Sequence, residues 1–163
     1  MKYDILIVED EDDIREMIAG ILSDEGYDVR QTSTSDGALD AVKQRVPSLV
    51  ILDVWLKESA MDGIEVLDCL KDTHPALPVI IISGHGTVET AVSAIRKGAF
   101  DYIVKPFKSE KLLVTATRAL ENARLRRENE ELKGRAASDD KIVGCSAVVA
   151  QLRSKIARVV PTN

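Results

Sequence analysis

Leu49-Val50-Ile51-Leu52-Asp53 is a run of four apolar residues closed by a single carboxylate. A continuous apolar run with β-branched members reads as a strand buried on both faces, the pattern of the middle of a parallel sheet. Asp53 then stands at the C-terminal end of that strand, where open α/β sheets bind their ligands. Taken alone, this carboxylate reads equally well as a loop cap, so the other strand ends decide. Ile5-Leu6-Ile7-Val8 is a second such run and stops at Glu9-Asp10-Glu11-Asp12-Asp13. Val79-Ile80-Ile81-Ile82 is a third and ends in Ser83-Gly84-His85-Gly86. A short strand Tyr102-Ile103-Val104 ends at Lys105-Pro106, and an edge strand is expected from about Tyr27 to Gln31.

Helical stripes separate these strands. Ile14, Met17, Ile18, Ile21 and Leu22 recur at spacings of three and four and are expected in the core, with Gly26 ending the helix. A helix from about Ser35 to Gln44 turns Leu39 and Val42 inward. Pro47 then separates it from the Asp53 strand. A loop from Val54 to Met61 closes at Asp62-Gly63, a turn signal, before a helix carrying Ile64, Leu67 and Leu70. From about Thr87 to Gly98 another helix is expected to turn Val88, Val92 and Ile95 inward. Strands alternating with helices argue for an α/β fold: a doubly wound, five-stranded parallel sheet with right-handed crossovers and helices on both faces.

The bulk composition narrows the function. With 163 residues, 45% hydrophobic and 30% charged, the chain is long enough for one domain and some extra. A net charge of −5 without a basic tail gives no electrostatic footprint for direct nucleic acid binding or an anionic membrane. No apolar run approaches a membrane span, and the acidic residues near Met1 are wrong for a signal peptide. Cys69 and Cys145 make no disulfide framework, so a reducing, cytoplasmic setting is expected.

Because parallel strands point the same way, Glu9 and Asp10, Asp53, Ser83 and Lys105 converge on one edge of the sheet. Two carboxylates about 4 Å apart repel by roughly 4 kcal/mol at an effective dielectric near 20, so such a cluster either spreads into water or holds a cation. Asp12 and Asp13 suit the start of a helix; Glu9 and Asp10 are assigned to the pocket. Mg²⁺ takes carboxylate and phosphate oxygens in octahedral geometry and suits Glu9, Asp10 and Asp53. Asp53 can then act as a nucleophile toward a phosphoryl group, with Lys105 and the Ser83 hydroxyl stabilising the transferring oxygens.

The order Glu9-Asp10, Asp53, Ser83, Tyr102 and Lys105-Pro106 resembles the receiver domain of two-component response regulators, over residues 1 to about 120. The resemblance implies a flavodoxin/CheY-like sheet of order 2-1-3-4-5 and Asp53 as phosphoacceptor for a sensor histidine kinase. It also implies Mg²⁺ held by Asp10, Asp53 and the backbone carbonyl of Trp55, with Glu9 acting through water. Lys105 is expected to pair with the phosphoryl group or Asp53 and to precede a cis bond to Pro106. Ser83 and Tyr102 match the switch pair. Three departures stand out. Ser83 occupies a place where Thr is commoner, the loop after Asp53 is about two residues longer than usual, and His85 lies close to the pocket, read as a loop residue over a proton or metal partner.

Ala, Leu, Glu, Arg and Lys dominate from Ser109 to about Ala136, so one continuous helix is expected there. At 1.5 Å per residue that is about 42 Å, longer than a small domain is wide, so its second half should protrude. Asn122 and Asn129 at a positions with Leu125 and Leu132 at d positions suggest a short parallel coiled coil and a homodimer, against a solvated linker helix. The expected division is a receiver over 1–120, a helical linker over 121–140 with Gly134 to Asp140 as its loosest part, and, over 141–163, a segment resembling the lead-in to the ATPase domain of NtrC/NtrX-type, sigma-54-dependent activators. No G-x-x-x-x-G-K-[ST] occurs, so this chain is expected to be no enzyme beyond self-phosphorylation and autodephosphorylation. It reads as a fragment of a nitrogen-regulation transcription regulator whose ATPase and DNA-binding domains lie elsewhere. Three other readings stay in view. A metal-dependent phosphohydrolase needs an acid where Trp55 stands. A flavodoxin-like nucleotide binder would have its phosphate repelled by the acidic loop. A degenerate receiver would serve only as a constitutive dimerisation or interaction module.

Overall fold

The computed structural model describes residues 3–57, 59–84 and 87–143, with side chains of the last helix described to residue 133. The chain divides into two compact units, 1–123 and 124–163. In chain order the elements are β1 (Asp4–Val8), α1 (Asp12–Asp24), β2 (Asp28–Thr32), α2 (Ser35–Gln44), β3 (Leu49–Asp53), α3 (Gly63–Thr73), β4 (Val79–Ser83), α4 (Val88–Arg96), β5 (Asp101–Val104) and α5 (Ser109–Val143). All strand pairs are parallel, in the order β2-β1-β3-β4-β5. The expected doubly wound fold and strand order are thus present.

Every residue of β3 and β4 is buried, as the unbroken apolar runs require of strands covered on both faces. The period-two alternation of side chains then sorts the core into two layers. Ile5, Ile7, Leu49, Ile51, Ile80 and Ile82 pack with Ile18 and Leu22 of α1 and Leu112, Ala116 and Leu120 of α5. Leu6, Val8, Val50, Leu52, Val79 and Ile81 pack with α2, α3 and α4.

The helix starts follow from local chemistry. Thr34 and Thr87 cap α2 and α4 through their hydroxyls. Asp62 caps α3 in a reciprocal box with Glu65, so the expected turn at Asp62-Gly63 is the helix start itself. Gly63 is the residue that fits there, because a Cβ would lie 2.1 Å from the Asp53 carbonyl oxygen. Gly26 follows α1 with φ of +94°, the left-handed conformation of a C′ glycine.

Three expectations need correction. Met17 is exposed, because its position falls outside the Ile18, Ala19 and Leu22 stripe that α1 buries. Val88, Val92 and Ile95 are 80%, 42% and 47% exposed, while Ala94 is the buried residue of α4, so that helix turns its larger apolar residues away from the sheet. The α5 helix runs on to Val143 through the stretch read as a linker, since a single Gly134 costs a helix only about 1 kcal/mol. The segment 144–163 and His85 lie outside the described residues.

Candidate functional site

The C-terminal edge of the sheet gathers the charged residues. Glu9 follows β1 directly, its backbone N–H donating to Thr32 O of β2 at 3.1 Å. Its side chain is wholly buried. Asp53 ends β3 and is buried as well, held beside β4 by the register Asp53↔Ile82. Lys105 follows β5, its N–H donating to the Ser83 carbonyl at 2.9 Å. From there its ammonium reaches 2.9 Å from Glu9 Oε2, 3.2 Å from Asp53 Oδ2 and 3.7 Å from Glu11 Oε1. The Lys105-Pro106 bond is cis.

Glu9, Asp10 and Asp53 each bring one carboxylate oxygen within 4.8 Å of the others, a set that can hold a metal ion. One ammonium among so many acids leaves the cluster short of positive charge. Burial, reinforced by the Asp53 charge and only partly offset by Lys105, pushes the Glu9 carboxyl up to about 7. Burial alone would lower the Lys105 ammonium, but the Glu9 and Asp53 carboxylates override it and hold the group above its ordinary range. Glu9 Oε2 is buried without a hydrogen-bond partner among the described residues, its approach to Lys105 being an ion pair only. Three carboxylates sharing a single ammonium suit a hard divalent cation, which takes oxygen ligands and cancels the repulsion.

The remaining predicted residues surround this set. The Trp55 N–H points to Asp53 Oδ1 at 3.4 Å, while its ring is exposed. Ser83, wholly buried, is the last residue of β4, one position beyond the register partner of Asp53. Tyr102 packs its ring against the α2–α3–α4 layer, and its hydroxyl is buried without a hydrogen-bond partner among the described residues.

Sequence reasoning passed over several groups. Glu11 shares Lys105. Arg15 donates to the Glu9 carbonyl at 2.9 Å and pairs with Asp12. The Lys57 backbone N–H donates to Asp10 Oδ2 at 3.0 Å. Arg15 had a signal, four residues beyond Glu11 and three beyond Asp12 on one helix face; the Lys57 amide had none, since any residue supplies it.

A family model for the response regulator receiver domain matches residues 5–117. The nitrogen assimilation regulatory protein NtrX of Azorhizobium caulinodans is 52% identical over 163 residues, which cover 100% of this chain and 36% of that protein. The chain therefore spans about a third of that relative's length. The crystal structure of the receiver domain of NtrX from Brucella abortus superposes with a TM-score of 0.71 at 58% identity, over 72% of this chain and 98% of that one. The solution structure of the beryllofluoride-activated NtrC4 receiver domain dimer does so with a TM-score of 0.70 at 38% identity, over 74% and 98%. With the fold, the strand order and the family match in agreement, the chain belongs to the response regulator receiver domain family and is a relative of the NtrX-type regulators.

Proposed function

We propose that this chain is a phosphorylation switch in which Asp53 accepts a phosphoryl group from a sensor histidine kinase. The observation that carries this reading is the convergence of Asp53, Glu9 and Asp10 around one ammonium at the C-terminal edge of the sheet. Asp10, Asp53 and the Trp55 carbonyl would hold Mg²⁺, with Glu9 acting through water. Bound there, the ion supplies charge neutralisation and orientation for the incoming phosphoryl oxygens. An Asp53 carboxylate oxygen attacks phosphorus. The phosphorus–nitrogen bond to the donor histidine breaks, its electron pair leaves with the imidazole, and an acyl phosphate remains on Asp53. Lys105 moves its ion pair from Asp53 to a phosphoryl oxygen, and the Ser83 hydroxyl donates to another.

The acyl phosphate carries about −2 where the carboxylate carried −1, and this added charge with its new acceptor oxygens supplies the energy for switching. Ser83 sits where it can follow the phosphoryl group, and Tyr102 contacts the layer that contains Ala94 of α4, so the pair links the site to that helix. Shifting such an element from 1:99 to 99:1 requires about 5.5 kcal/mol of differential stabilisation. The output is a changed homodimer or a changed hold on ATPase and DNA-binding domains in a longer, cytoplasmic transcription regulator. Along α5, heptads with Asn122 and Asn129 at a and Leu125 and Leu132 at d place Glu121 and Glu128 at g, and Arg126 and Lys133 at e. Opposite charges then meet across a parallel pair of helices, and like charges across an antiparallel one. Leu125 and Leu132 are both exposed, as an unpaired seam requires.

Intact mass after incubation with Mg²⁺ and acetyl phosphate tests the reading. The wild type is expected to gain one phosphoryl mass and Asp53→Asn none. No gain in a wild type that binds Mg²⁺ would overturn the switch and leave a constitutive interaction module.

A further inference from the structure

Helix α1 starts differently from the three helices that follow it. Thr34, Asp62 and Thr87 cap α2, α3 and α4 with their side chains, whereas Glu11, at the same place in α1, makes no side-chain cap bond among the described residues. The chain entering α1 is held from the other direction. Arg15, one turn into the helix, reaches back past the helix start and donates from Nη1 to the Glu9 carbonyl at 2.9 Å. Its Nη2 pairs with Asp12. The Arg15 side chain is 16% exposed and that of Asp12 77%, so the ion pair lies at the surface and is worth little, while the bond to the carbonyl is the sheltered one.

Glu9 is thereby engaged at each of its polar groups. Its N–H donates to the Thr32 carbonyl at 3.1 Å, Oε1 accepts the Glu11 N–H at 3.1 Å, and Oε2 lies 2.9 Å from Lys105 Nζ. Arg15 acts on the side of the residue that leads to Asp10. The Glu9 carbonyl and the Asp10 N–H belong to one planar peptide, so fixing the carbonyl fixes the direction in which the chain enters Asp10. Glu9 and Asp10 bring carboxylate oxygens within 4.8 Å of each other and of Asp53. Their repulsion favours any rotation of that peptide that carries the two acids apart, and an anchored carbonyl opposes it.

We propose that Arg15 is a positioning residue of the cation site, fixing the Glu9–Asp10 peptide so that both carboxylates stay on the cluster while the guanidinium itself touches no ion. The inference rests on the cation reading of the site given above. The sign of the effect separates this role from plain electrostatics. A guanidinium repels Mg²⁺, so its removal as a charge tightens binding, whereas its removal as an orienting partner loosens it.

The test titrates the full chain with Mg²⁺, following Trp55, the single tryptophan, by emission and the same samples by calorimetry. Thermal midpoints show that each variant is folded at the titration temperature. In Arg15→Met, which keeps the apolar stem and loses the donors, the Mg²⁺ dissociation constant is expected to rise about tenfold, the lower end for loss of an orienting partner. Asp12→Asn weakens the exposed ion pair, leaves the carbonyl bond, and should retain the wild-type constant. Arg15→Lys keeps the charge but not the planar fork, so its constant should rise as well, and it is read in place of Arg15→Met if that variant does not fold. Constants at or below the wild-type value in the folded Arg15 variants would overturn the positioning role and leave the cation site standing. A rise in Asp12→Asn equal to that in Arg15→Met would overturn it too, because the ion pair and not the carbonyl bond would then carry the effect. A wild type with no response to Mg²⁺ would overturn the cation reading itself and the role of Arg15 with it.

Discussion

Helices α3 and α4 lie against the same layer of the core, and each starts at a side-chain cap, Asp62 in one and Thr87 in the other. Each carries apolar residues at helical spacing. They use them in opposite ways. In α3 the residues Val66, Leu67 and Leu70 are buried. In α4 the small Ala94 is buried with Thr90 and Ala91 half-buried beside it, Val88, Val92 and Ile95 are exposed, and Val88 and Val92 line an open groove with Glu89, Ser93 and Arg96. Small inward residues let a helix lie close to its sheet. Outward β-branched residues leave apolar surface to be covered by something else. Periodicity thus shows that a helix has an apolar face, while what the face meets depends on where the helix lands. The partner strand β5 has four residues, with only Ile103 deeply buried, so the sheet edge gives α4 little to pack against.

Four substitutions would break or sharpen this contrast. Leu67→Ala in α3 should cost about 2–5 kcal/mol in urea unfolding, with the midpoint falling at constant slope, as for any large-to-small change in a closed core. A cost below 1 kcal/mol would mean α3 is as loosely covered as α4. Next is Gly63→Ala, which puts a methyl 2.1 Å from the Asp53 carbonyl oxygen and 2.7 Å from Val54 Cα. Both neighbours are backbone, so about 1–3 kcal/mol is expected, together with weaker Mg²⁺ binding as the end of β3 is displaced.

The third substitution extends the contrast from apolar side chains to charge. The buried Glu9 carboxyl is raised from 4.5 to about 7, so the fold binds its proton more tightly than the unfolded chain does. Below 4.5 the group is protonated in both states and has no effect. Between 4.5 and 7 the metal-free fold loses stability as pH rises, and above 7 the full cost is present. Glu9→Gln does not titrate and should be the more stable protein at high pH, by about 1–3 kcal/mol, with no advantage at low pH. Urea midpoints in EDTA at both ends of the window would show it; equal pH slopes in the two proteins would contradict the assignment. The smallest effect on stability belongs to Val92→Asp, within about 0.5 kcal/mol as for other exposed sites. Its visible effect should be on self-association of the phosphorylated chain in sedimentation. A loss matching that of Leu67→Ala would show that the α4 stripe is packed after all.

Much of this was legible in the chain itself. Uninterrupted apolar runs marked β1, β3 and β4 as central strands, and parallel strands necessarily brought Glu9, Asp10, Asp53, Ser83 and Lys105 to one edge. The capping box Asp62–Glu65 was legible too, though Asp62-Gly63 was read only as a turn. Other features left no trace in local pattern. The Lys57 amide on Asp10 is a backbone group, identical in every residue but proline. The Ser35–Ser59 bond joins the first residue of α2 to a loop 24 residues further on, and Glu11 near Lys105 depends on a side chain reaching across two strand ends.

What the sequence by itself determined, then, was the alternation of strands and helices and the set of charged groups at the strand ends, because hydrophobic periodicity and the polarity of a parallel sheet act through near neighbours and simple geometry. What only the tertiary structure decided was which way α4 faces, how Met17 lies, and which amide holds Asp10. Those depend on contacts between residues distant along the chain, where an apolar side chain is buried only if another element arrives to cover it.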